Sequence, residues 1–335
     1  MSDTLFMQRC LSLAQKGLGY TYPNPLVGCV IVHDGKIIAE GWHKKAGKNH
    51  AEREAIFNVK DSSLLSQSTL YVNLEPCDHF GKTPPCSDLI IEKKIPRVVI
   101  GCLDENKKVW GKGLKKLQNA GCEVQTGVLE DDCQKLNRRF FSFHQKKQPY
   151  VILKWAESAD GFIAPKNTNT PYWLTNPLSK QRVHQWRSHE QSVMIGVKTA
   201  IIDDPSLTTR LWSGNNPQPV VIDPNHKISN SQIKLKSIDN RLINIVRNKK
   251  AGTEEHLTAK AILDRLYDEK IQSVIIEGGT HTLQHFIDAA LWDEARIFVT
   301  TKKLKEGLKA PKINRERFRS LTKMGSDRLI WLYKD

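Results

Sequence analysis

Short β-rich segments alternate with helical segments along this chain, and the alternation is interrupted once. The first strands, residues 26–33 and 36–41, are separated by Asp34 and Gly35, a pair typical of a tight hairpin turn. Further strands are predicted at 68–74 and 97–102, and helical spacing is found at 50–60, 86–94 and 114–122. This order predicts a three-layer α/β domain, in which helices cover both faces of a sheet.

The interruption is RRFFSFHQKKQP, residues 138–149, which combines aromatic residues, a basic pair and a proline. A length of 335 residues predicts about two domains, so we place a linker near 143–149 and domains at 1–145 and 146–335. A second α/β pattern follows the linker. Its strands are predicted at 150–156, 193–196, 219–223, 241–247 and 273–279, and its helices at 177–188, 259–270 and 280–291.

Composition excludes a membrane span, because no run approaches the roughly 18 apolar residues that one requires. The first residues place Phe6, Cys10, Leu13 and Gly17 on one helical face and lack the order of regions found in a signal peptide. Seven cysteines, an odd number spread thinly, argue for reduced thiols and against a disulfide framework. We therefore expect a cytoplasmic protein.

The chain has 51 basic and 36 acidic residues, a formal net charge of +15. Such an excess attracts polyanions or phosphorylated small molecules. The basic residues occur as short scattered pairs, for example Lys44 and Lys45, so solvated surface lysine explains most of the excess. We expect a phosphorylated small molecule as the partner and no stable binding of nucleic acid.

Two segments carry metal-ligand residues, HAE at 50–52 and PC at 76–77 with a second PC at 85–86. His50, Cys77 and Cys86 would give zinc three ligands and leave a fourth position for water, as in catalytic sites. Glu52 could then move the proton of that water. Each cysteine follows a proline at a predicted helix start, where the dipole favours a thiolate. The pattern is that of the zinc deaminases; the competing interpretation makes His50 a helix cap and both cysteines core residues.

Eight residues separate the two cysteines, where nucleoside and nucleic-acid deaminases have two. With this loop, the chain resembles the bifunctional deaminase and reductase family of riboflavin biosynthesis. The segments that carry the resemblance are PNPLVGCVIV (23–32), GWHKKAGKNHAEREAI (41–56) and LEPCDHFGKTPPC (74–86). It implies a cytidine-deaminase-like N-terminal domain whose substrate is a diaminopyrimidinone bearing ribose 5-phosphate. The substrate contacts that it implies are Asn24, His43, His79 and Lys82.

The second half lacks G-x-G-x-x-G, so a common dinucleotide fingerprint is absent. The family's dihydrofolate-reductase-like α/β domain resembles it at LKWAESADG (153–161), YWLTN (172–176), GVKTAIIDDPSLTTR (196–210) and IIEGG (275–279). The resemblance assigns to NADPH the residues Ala156, Trp173, Thr175, Thr199, Asp203 and Gly279. It assigns to the substrate the residues Arg187, Leu207, Arg210 and Glu277. The chain departs from the family pattern at Ala159 and Pro171.

Two backbone features support this interpretation. Gly196 and Gly279 would each lead a strand into a helix, which leaves backbone amides for phosphate. The resemblance therefore implies two steps, loss of a pyrimidine amine at zinc and NADPH-dependent reduction of the ribosyl group to ribityl. Two alternatives stay open: a nucleoside or nucleic-acid base deaminase with an accessory binding domain, and a zinc-stabilised binding protein without catalysis. The oligomeric state, including a homo-oligomer, also stays open.

Overall fold

The structure is a computed structural model that divides into two compact units, residues 1–147 and 148–335. It describes residues 2–80, 84–104, 111–166, 170, 172–231, 233–237, 242–246, 249–250, 253–254, 257–315 and 318–334. Lys82 and Pro171 lie outside these ranges. Each unit is described by itself below.

The N-terminal unit contains both helices and strands in the predicted order. Its helices are α1 (Asp3–Gln15), α2 (Ala51–Phe57), α3 (Cys86–Glu92), α4 (Lys112–Asn119), α5 (Glu130–Leu136) and α6 (Arg138–Phe141), with a π-helical turn at Ser142–Lys146 and a 3-10 turn at Ser62–Gln67. Its strands are β1 (Gly28–His33), β2 (Lys36–Trp42), β3 (Thr69–Leu74), β4 (Arg97–Cys102) and β5 (Glu123–Thr126). Asp34 and Gly35 both have positive φ between β1 and β2, which confirms the predicted hairpin turn.

In the described part of this unit, five strands form a sheet in the order β2-β1-β3-β4-β5. β1 is antiparallel to β2 and β3, whereas β3, β4 and β5 are parallel. Adjacent residues of a strand point to opposite faces, and the two faces of β1 pack differently. Val30 packs with Met7 and Cys10 of α1, whereas Ile31 packs with Ala51 of α2. The three-layer arrangement predicted from the sequence is confirmed.

The segment predicted as a linker, 143–149, is helical up to Lys146. Phe140, Phe141 and Phe143 are buried in the N-terminal unit. Burying an aromatic side chain removes a large apolar area from water, and this outweighs the basic and polar composition of the segment. The connection between the last helical turn of this unit and the next strand is therefore shorter than predicted.

The C-terminal unit contains the second alternating pattern. Its strands are β6 (Tyr150–Glu157), β7 (Phe162–Ala164), β8 (Ser192–Gly196), β9 (Gln218–Ile222), β10 (Ile243–Ile245), β11 (Lys249–Lys250), β12 (Thr253–Glu254), β13 (Ser273–Ile276), β14 (Glu294–Val299), β15 (Leu308–Lys309), β16 (Phe318–Met324) and β17 (Asp327–Tyr333). Its helices are α7 (Pro177–His189), α8 (Val197–Asp203), α9 (Ala259–Asp268) and α10 (Thr280–Asp288), with 3-10 turns at Lys227–Asn230 and Lys234–Ser237.

Within the described residues, eight strands of this unit form a sheet in the order β10-β9-β8-β13-β6-β14-β17-β16. The first six strands in this order, β10-β9-β8-β13-β6-β14, are parallel to one another. Strands β17 and β16 extend the sheet beyond β14 as an antiparallel hairpin. Helices α9 and α10 pack on one face, and α7 and α8 pack on the other. The strand predicted at 273–279 ends at Ile276, so Glu277 and the two glycines lie beyond it.

Gly41 of β2 fixes how closely α2 approaches the sheet. A Cβ at this position would lie 2.4 Å from both the Ala51 carbonyl oxygen and the Ala55 backbone nitrogen. Only a glycine fits this contact without a backbone shift. Because α2 begins directly after His50, the glycine also determines where that histidine lies.

We predict that Gly41→Ala destabilises the N-terminal unit by about 1–3 kcal/mol, because the added methyl group must displace backbone atoms. Urea unfolding of the full chain measures the change. Ile37→Ala is the control, since Ile37 lies on the same strand and is 41% exposed; its effect should stay within about 0.5 kcal/mol. Equal unfolding curves for Gly41→Ala and the unmodified chain would contradict this role of Gly41.

Candidate active sites

Three of the predicted zinc ligands lie together in the N-terminal unit. The Nδ1 atom of His50 is 3.4 Å from the Cys77 sulfur and 3.5 Å from the Cys86 sulfur. A tetrahedral zinc ion with ordinary Zn–N and Zn–S bond lengths separates nitrogen and sulfur ligands by about 3.5 Å. The three side chains therefore fit zinc. Among the described residues they form one cluster whose ligand atoms all lie within 4.8 Å of one another.

Two helix starts supply part of this cluster. His50 occupies the position before α2 but its side chain makes no capping hydrogen bond, so the helix-cap interpretation is not supported. Cys86 is the first residue of α3. Cys77 was predicted at a helix start as well, and this is wrong, because it lies in the loop that follows β3. Its sulfur instead accepts a hydrogen bond of 3.4 Å from the backbone N–H of Cys86.

Carboxylates on both sides of Cys77 hold its loop in place. Glu75 is buried and accepts hydrogen bonds of 3.1–3.2 Å from three backbone N–H groups, those of Asp104, Gly111 and Leu114. Asp78 accepts hydrogen bonds from the Ser87 hydroxyl at 2.9 Å and from Lys116 Nζ at 2.7 Å. These hydrogen bonds hold the described residues on both sides of Cys77, and the sequence pattern identified neither carboxylate.

Glu52 lies in the first turn of α2 with only 3% of its surface exposed. Burial, with the neighbouring Cys77 charge, raises the pKa of its carboxyl to about 7. The hydrogen bonds from Cys86 and His50 lower the pKa of the Cys77 thiol to about 4, despite its burial. The cluster thus contains a ready thiolate beside a carboxyl group that is not itself a member of the ligand set.

Asn24 and His43 form a hydrogen-bonded chain next to the zinc ligands. The His43 ring lies edge-on to the His50 ring, with 5.5 Å between centroids. His43 Nδ1 is 2.9 Å from the carbonyl oxygen of Asn49, an acceptor, so Nδ1 carries the proton. His43 Nε2 then accepts from Asn24 Nδ2 at 3.0 Å. Burial lowers the pKa of His43, which agrees with a neutral ring.

These two hydrogen bonds fix the side-chain amide of Asn24, whose Oδ1 stays available for a ligand. His43 has both ring nitrogens engaged and is 2% exposed, whereas His79 is exposed on the loop between the cysteines. Lys82 lies outside the described residues. Asn49, which sets the His43 tautomer through its backbone, could not have been found from sequence because a carbonyl oxygen carries no sequence signal.

A cavity of about 400 Å³ opens in the C-terminal unit at the ends of parallel strands. Eight of the ten residues predicted for cofactor or substrate line it: Trp173, Thr175, Arg187, Thr199, Asp203, Leu207, Arg210 and Glu277. Ala156 and Gly279 are not among its lining residues. Gly279 lies nearby, because a Cβ on it would be 3.9 Å from the hydroxyl of Thr199.

Glu277 is the centre of charge in this cavity. It accepts two hydrogen bonds from Arg187, 2.9 Å from Nε and 2.8 Å from Nη2, and Lys154 Nζ lies 3.6 Å away. Burial alone would raise its pKa, but the charges of Arg187 and Lys154 outweigh burial and lower the pKa to about 2. Burial lowers the pKa of Lys154. Sequence reasoning did not select Lys154, although LKWA was recognised as a family segment.

Arg187 and Arg210 differ in what they can still bind. The third nitrogen of Arg187, Nη1, donates to the Thr208 carbonyl at 3.2 Å, so each of its three nitrogens makes a hydrogen bond and three of its five N–H donors are used. Arg210 is exposed and makes only a 3.5 Å contact with the Thr208 hydroxyl, without a carboxylate partner in the part of the chain that the structure describes. Arg210 is therefore the cavity's available guanidinium.

The turn at 158–161 shows what the departure at Ala159 changes. Ser158 donates to Asp160 at 2.6 Å, and Asp160 accepts from the backbone N–H groups of Leu304 and Lys305. Ala159 is exposed, and its backbone N–H donates to the Lys302 carbonyl at 2.7 Å. The turn thus depends on the side chains of Ser158 and Asp160, and the side chain at position 159 makes none of its hydrogen bonds.

Two features of this unit suit a dinucleotide. Helix α10 begins at Gly279 without a side-chain cap, which leaves backbone N–H groups for a phosphate. Trp173 is 57% exposed at the cavity, with Lys180 Nζ 4.0 Å from the ring centroid. NADPH fits these residues. In the described parts of both units, no helix is long and apolar enough to cross a membrane.

Comparisons with protein families match both units. Residues 1–102 match the cytidine and deoxycytidylate deaminase zinc-binding region, and residues 149–327 match the RibD C-terminal domain. The first match spans the zinc ligands and the second spans the cavity. These matches confirm a cytidine-deaminase-like fold followed by a dihydrofolate-reductase-like α/β fold, with Zn²⁺ and NADPH as the cofactors.

Relatives and solved structures match over nearly the whole chain. The riboflavin biosynthesis protein RibD of Aquifex aeolicus is 39% identical over 91% of this chain and 89% of its own length. RibD of Escherichia coli is 32% identical, again over 91% of this chain and 89% of its own length. A Thermotoga maritima structure, a diaminohydroxyphosphoribosylaminopyrimidine deaminase/5-amino-6-(5-phosphoribosylamino)uracil reductase, superposes with a TM-score of 0.89 at 37% identity, covering 99% of both chains. The chain belongs to the RibD family, the bifunctional zinc-dependent deaminases and NADPH-dependent reductases of riboflavin biosynthesis.

Proposed function

We propose that this chain acts on the two compounds named for the Thermotoga maritima protein. The N-terminal unit removes the amine at pyrimidine C2 as ammonia, and the C-terminal unit reduces the ribosyl group of the resulting uracil to ribityl. The observation that carries the proposal is the cluster of His50, Cys77 and Cys86 with ligand spacings that fit zinc, beside a buried Glu52. The cavity of the second unit supports the second step.

In the deaminase site, His50, Cys77 and Cys86 would hold a zinc ion, which when bound would supply Lewis-acid activation of a water. Glu52 accepts a proton from that water at its carboxylate and returns it to the departing nitrogen. Asn24 binds the pyrimidine edge through the amide atoms that His43 leaves available. His43 acts by holding this amide, since both of its ring nitrogens are engaged. His79 and Lys82, on the loop between the cysteines, bind the ribose phosphate.

In the reductase site, NADPH when bound would supply the hydride that the sugar C1 carbon accepts. The cofactor is held by six residues, with one of its phosphates at the start of α10: Ala156, Trp173, Thr175, Thr199, Asp203 and Gly279. Lys154, whose Nζ lies 3.6 Å from Glu277, holds the proton that the reduced product needs. Arg210 binds the substrate phosphate, and Leu207 packs against the substrate. Arg187 and Glu277 form a rigid wall of the cavity.

Two further points concern surroundings. All seven cysteines are free thiols, which supports a reducing, cytoplasmic location. Five basic and three acidic side chains line the cavity, which suits a phosphorylated small molecule. Stable binding of nucleic acid is not part of the proposal.

The zinc ligands can be tested by metal content. We predict about one zinc per chain, and loss of that zinc in Cys77→Ser and Cys86→Ser, because a hydroxyl is a far poorer zinc ligand than a thiolate. Elemental analysis of the purified variants measures the loss. Cys122→Ser is the control, because its half-buried thiol lies outside the cluster and donates to the Ile95 carbonyl. Full zinc in both cluster variants would remove this site.

The proton carrier can be tested separately. Glu52→Gln should keep its zinc and lose at least about 100-fold in the rate of ammonia release, since an amide cannot shuttle the proton. The same variant should still oxidise NADPH when given the deaminated uracil substrate. Glu92→Gln, an exposed carboxylate on α3, serves as the control. Ammonia release near the unmodified rate would show that another group carries the proton.

The phosphate contact can be tested through substrate affinity. Arg210→Ala should raise the KM for the phosphorylated uracil substrate by about 10- to 100-fold, the effect of losing a hydrogen bond to a charged group. The KM for NADPH and the release of ammonia should not change. Arg182→Ala removes an exposed arginine of α7 as the control. An unchanged KM would place the phosphate elsewhere, and a protein that never consumed NADPH would overturn the reductase half of the proposal.

A further inference from the structure

His184 is a buried cavity residue that neither step above uses. It lies on α7, one helical turn before Arg187, and it lines the cavity with that arginine, Arg210 and Glu277. Only 2% of its surface is exposed. Its Nδ1 atom is buried and has no hydrogen-bond partner among the residues that the structure describes.

An unpartnered buried nitrogen at a cavity wall is unusual. Most buried polar side-chain atoms of folded proteins have a hydrogen-bond partner, so an exception calls for a physical reason. A ligand absent from the free chain is one such reason. Because His184 lines the same cavity as Arg187 and Arg210, the substrate of that cavity is the ligand to consider.

The protonation state of His184 defines what it can offer. Burial, followed by the charges of Arg187 and Arg210, lowers the pKa of its ring to about 4, so the ring is neutral at pH 7. The Thr208 carbonyl favours a proton on the ring, and Nδ1 is the nitrogen without a partner. Nε2 therefore carries the proton, and Nδ1 keeps a lone pair that can accept a hydrogen bond.

A nitrogen that accepts a hydrogen bond binds a donor such as a hydroxyl, whereas the arginines donate and bind a phosphate. A phosphate has only acceptor oxygens near neutral pH apart from its single titrating proton, and a guanidinium is its natural partner. A sugar hydroxyl has a proton to donate. Resting on the reductase function proposed above, we propose that His184 is a substrate-binding residue that accepts a hydrogen bond from a hydroxyl of the sugar phosphate, while Arg210 binds the phosphate.

Two substitutions separate the hydrogen bond from the packing of the ring. His184→Leu removes both nitrogens, whereas His184→Asn keeps a polar atom near the position of Nδ1. The leucine variant should raise the KM for the uracil substrate by about tenfold or more, and the asparagine variant should recover most of that loss. The KM for NADPH should stay the same in both. Ammonia release and thermal unfolding of each variant report whether the chain is folded.

His285 offers a matched control. Its Nε2 atom is also buried and without a partner in the described structure, but His285 lies on α10 and does not line the cavity. His285→Leu should therefore leave the KM for the uracil substrate unchanged. An equal rise in KM for His285→Leu and His184→Leu would mean that the effect is structural, and it would overturn the inference.

The hydroxyl assignment has its own test. Ribose 5-phosphate and inorganic phosphate should each compete with the uracil substrate in the unmodified protein. In His184→Leu, inhibition by ribose 5-phosphate should weaken about tenfold while inhibition by inorganic phosphate persists. Equal weakening of both would assign His184 to the phosphate and overturn the hydroxyl contact. If the unmodified protein reduces the substrate and His184→Leu keeps its KM, the inference fails alone; if the unmodified protein never reduces it, the proposed function fails first.

Discussion

Each unit depends on a largely buried carboxylate placed directly after a strand. Glu75 follows β3 and accepts hydrogen bonds from three backbone N–H groups. Glu277 follows β13, accepts two hydrogen bonds from the Arg187 guanidinium and lies 3.6 Å from the Lys154 ammonium group. A buried charge is tolerated only when its hydrogen-bonding capacity is filled, so each carboxylate fixes the segments that fill it. In one unit the fixed segment is the Cys77 loop; in the other it is the wall of the cavity.

The pairing at Glu277 also divides the work among the cations of the cavity. Arg187 uses three of its five N–H donors on Glu277 and on the Thr208 carbonyl, so its orientation is fixed and one N–H on each terminal nitrogen is left for a ligand. Burial lowers the pKa of Lys154, although the charge of the neighbouring Glu277 raises it. Arg210 stays exposed. Three basic side chains of one cavity thus have different properties because one carboxylate binds two of them.

The sequence predicted the parts of the fold and the site that arise from local patterns. The order of helices and strands, the Asp34-Gly35 turn and the zinc-binding residue types all follow from spacing within short segments. The linker was predicted too long, because basic residues hide the apolar contribution of Phe140, Phe141 and Phe143. The β16–β17 hairpin was missed in a lysine-rich tail, although Leu329 and Leu332 are buried in the core of its sheet.

Contacts between distant segments explain the rest of what was missed. Glu75 reaches backbone groups that lie 29 to 39 residues further along the chain, and the Arg187–Glu277 pair joins residues 90 apart. Such pairs leave no periodic signal in a single sequence. The helix start assigned to Cys77 was wrong for a related reason: its sulfur does lie at a helix N-terminus, but the helix is the one that begins at Cys86.

The net charge of +15 attracts anions over longer distances than the contacts described above. Exposed charges beyond a Debye length, about 8 Å at physiological ionic strength, are largely screened, so most surface lysines cannot stabilise a bound phosphate. The cavity itself has five basic and three acidic side chains, a small local excess, and one of those acids, Glu277, pairs with two of the bases. Under the proposed function, phosphate recognition therefore depends on the few cations that Glu277 leaves unpaired. The overall charge contributes through the rate at which anionic substrates arrive, which falls as salt rises, whereas contacts inside the cavity determine how long they stay.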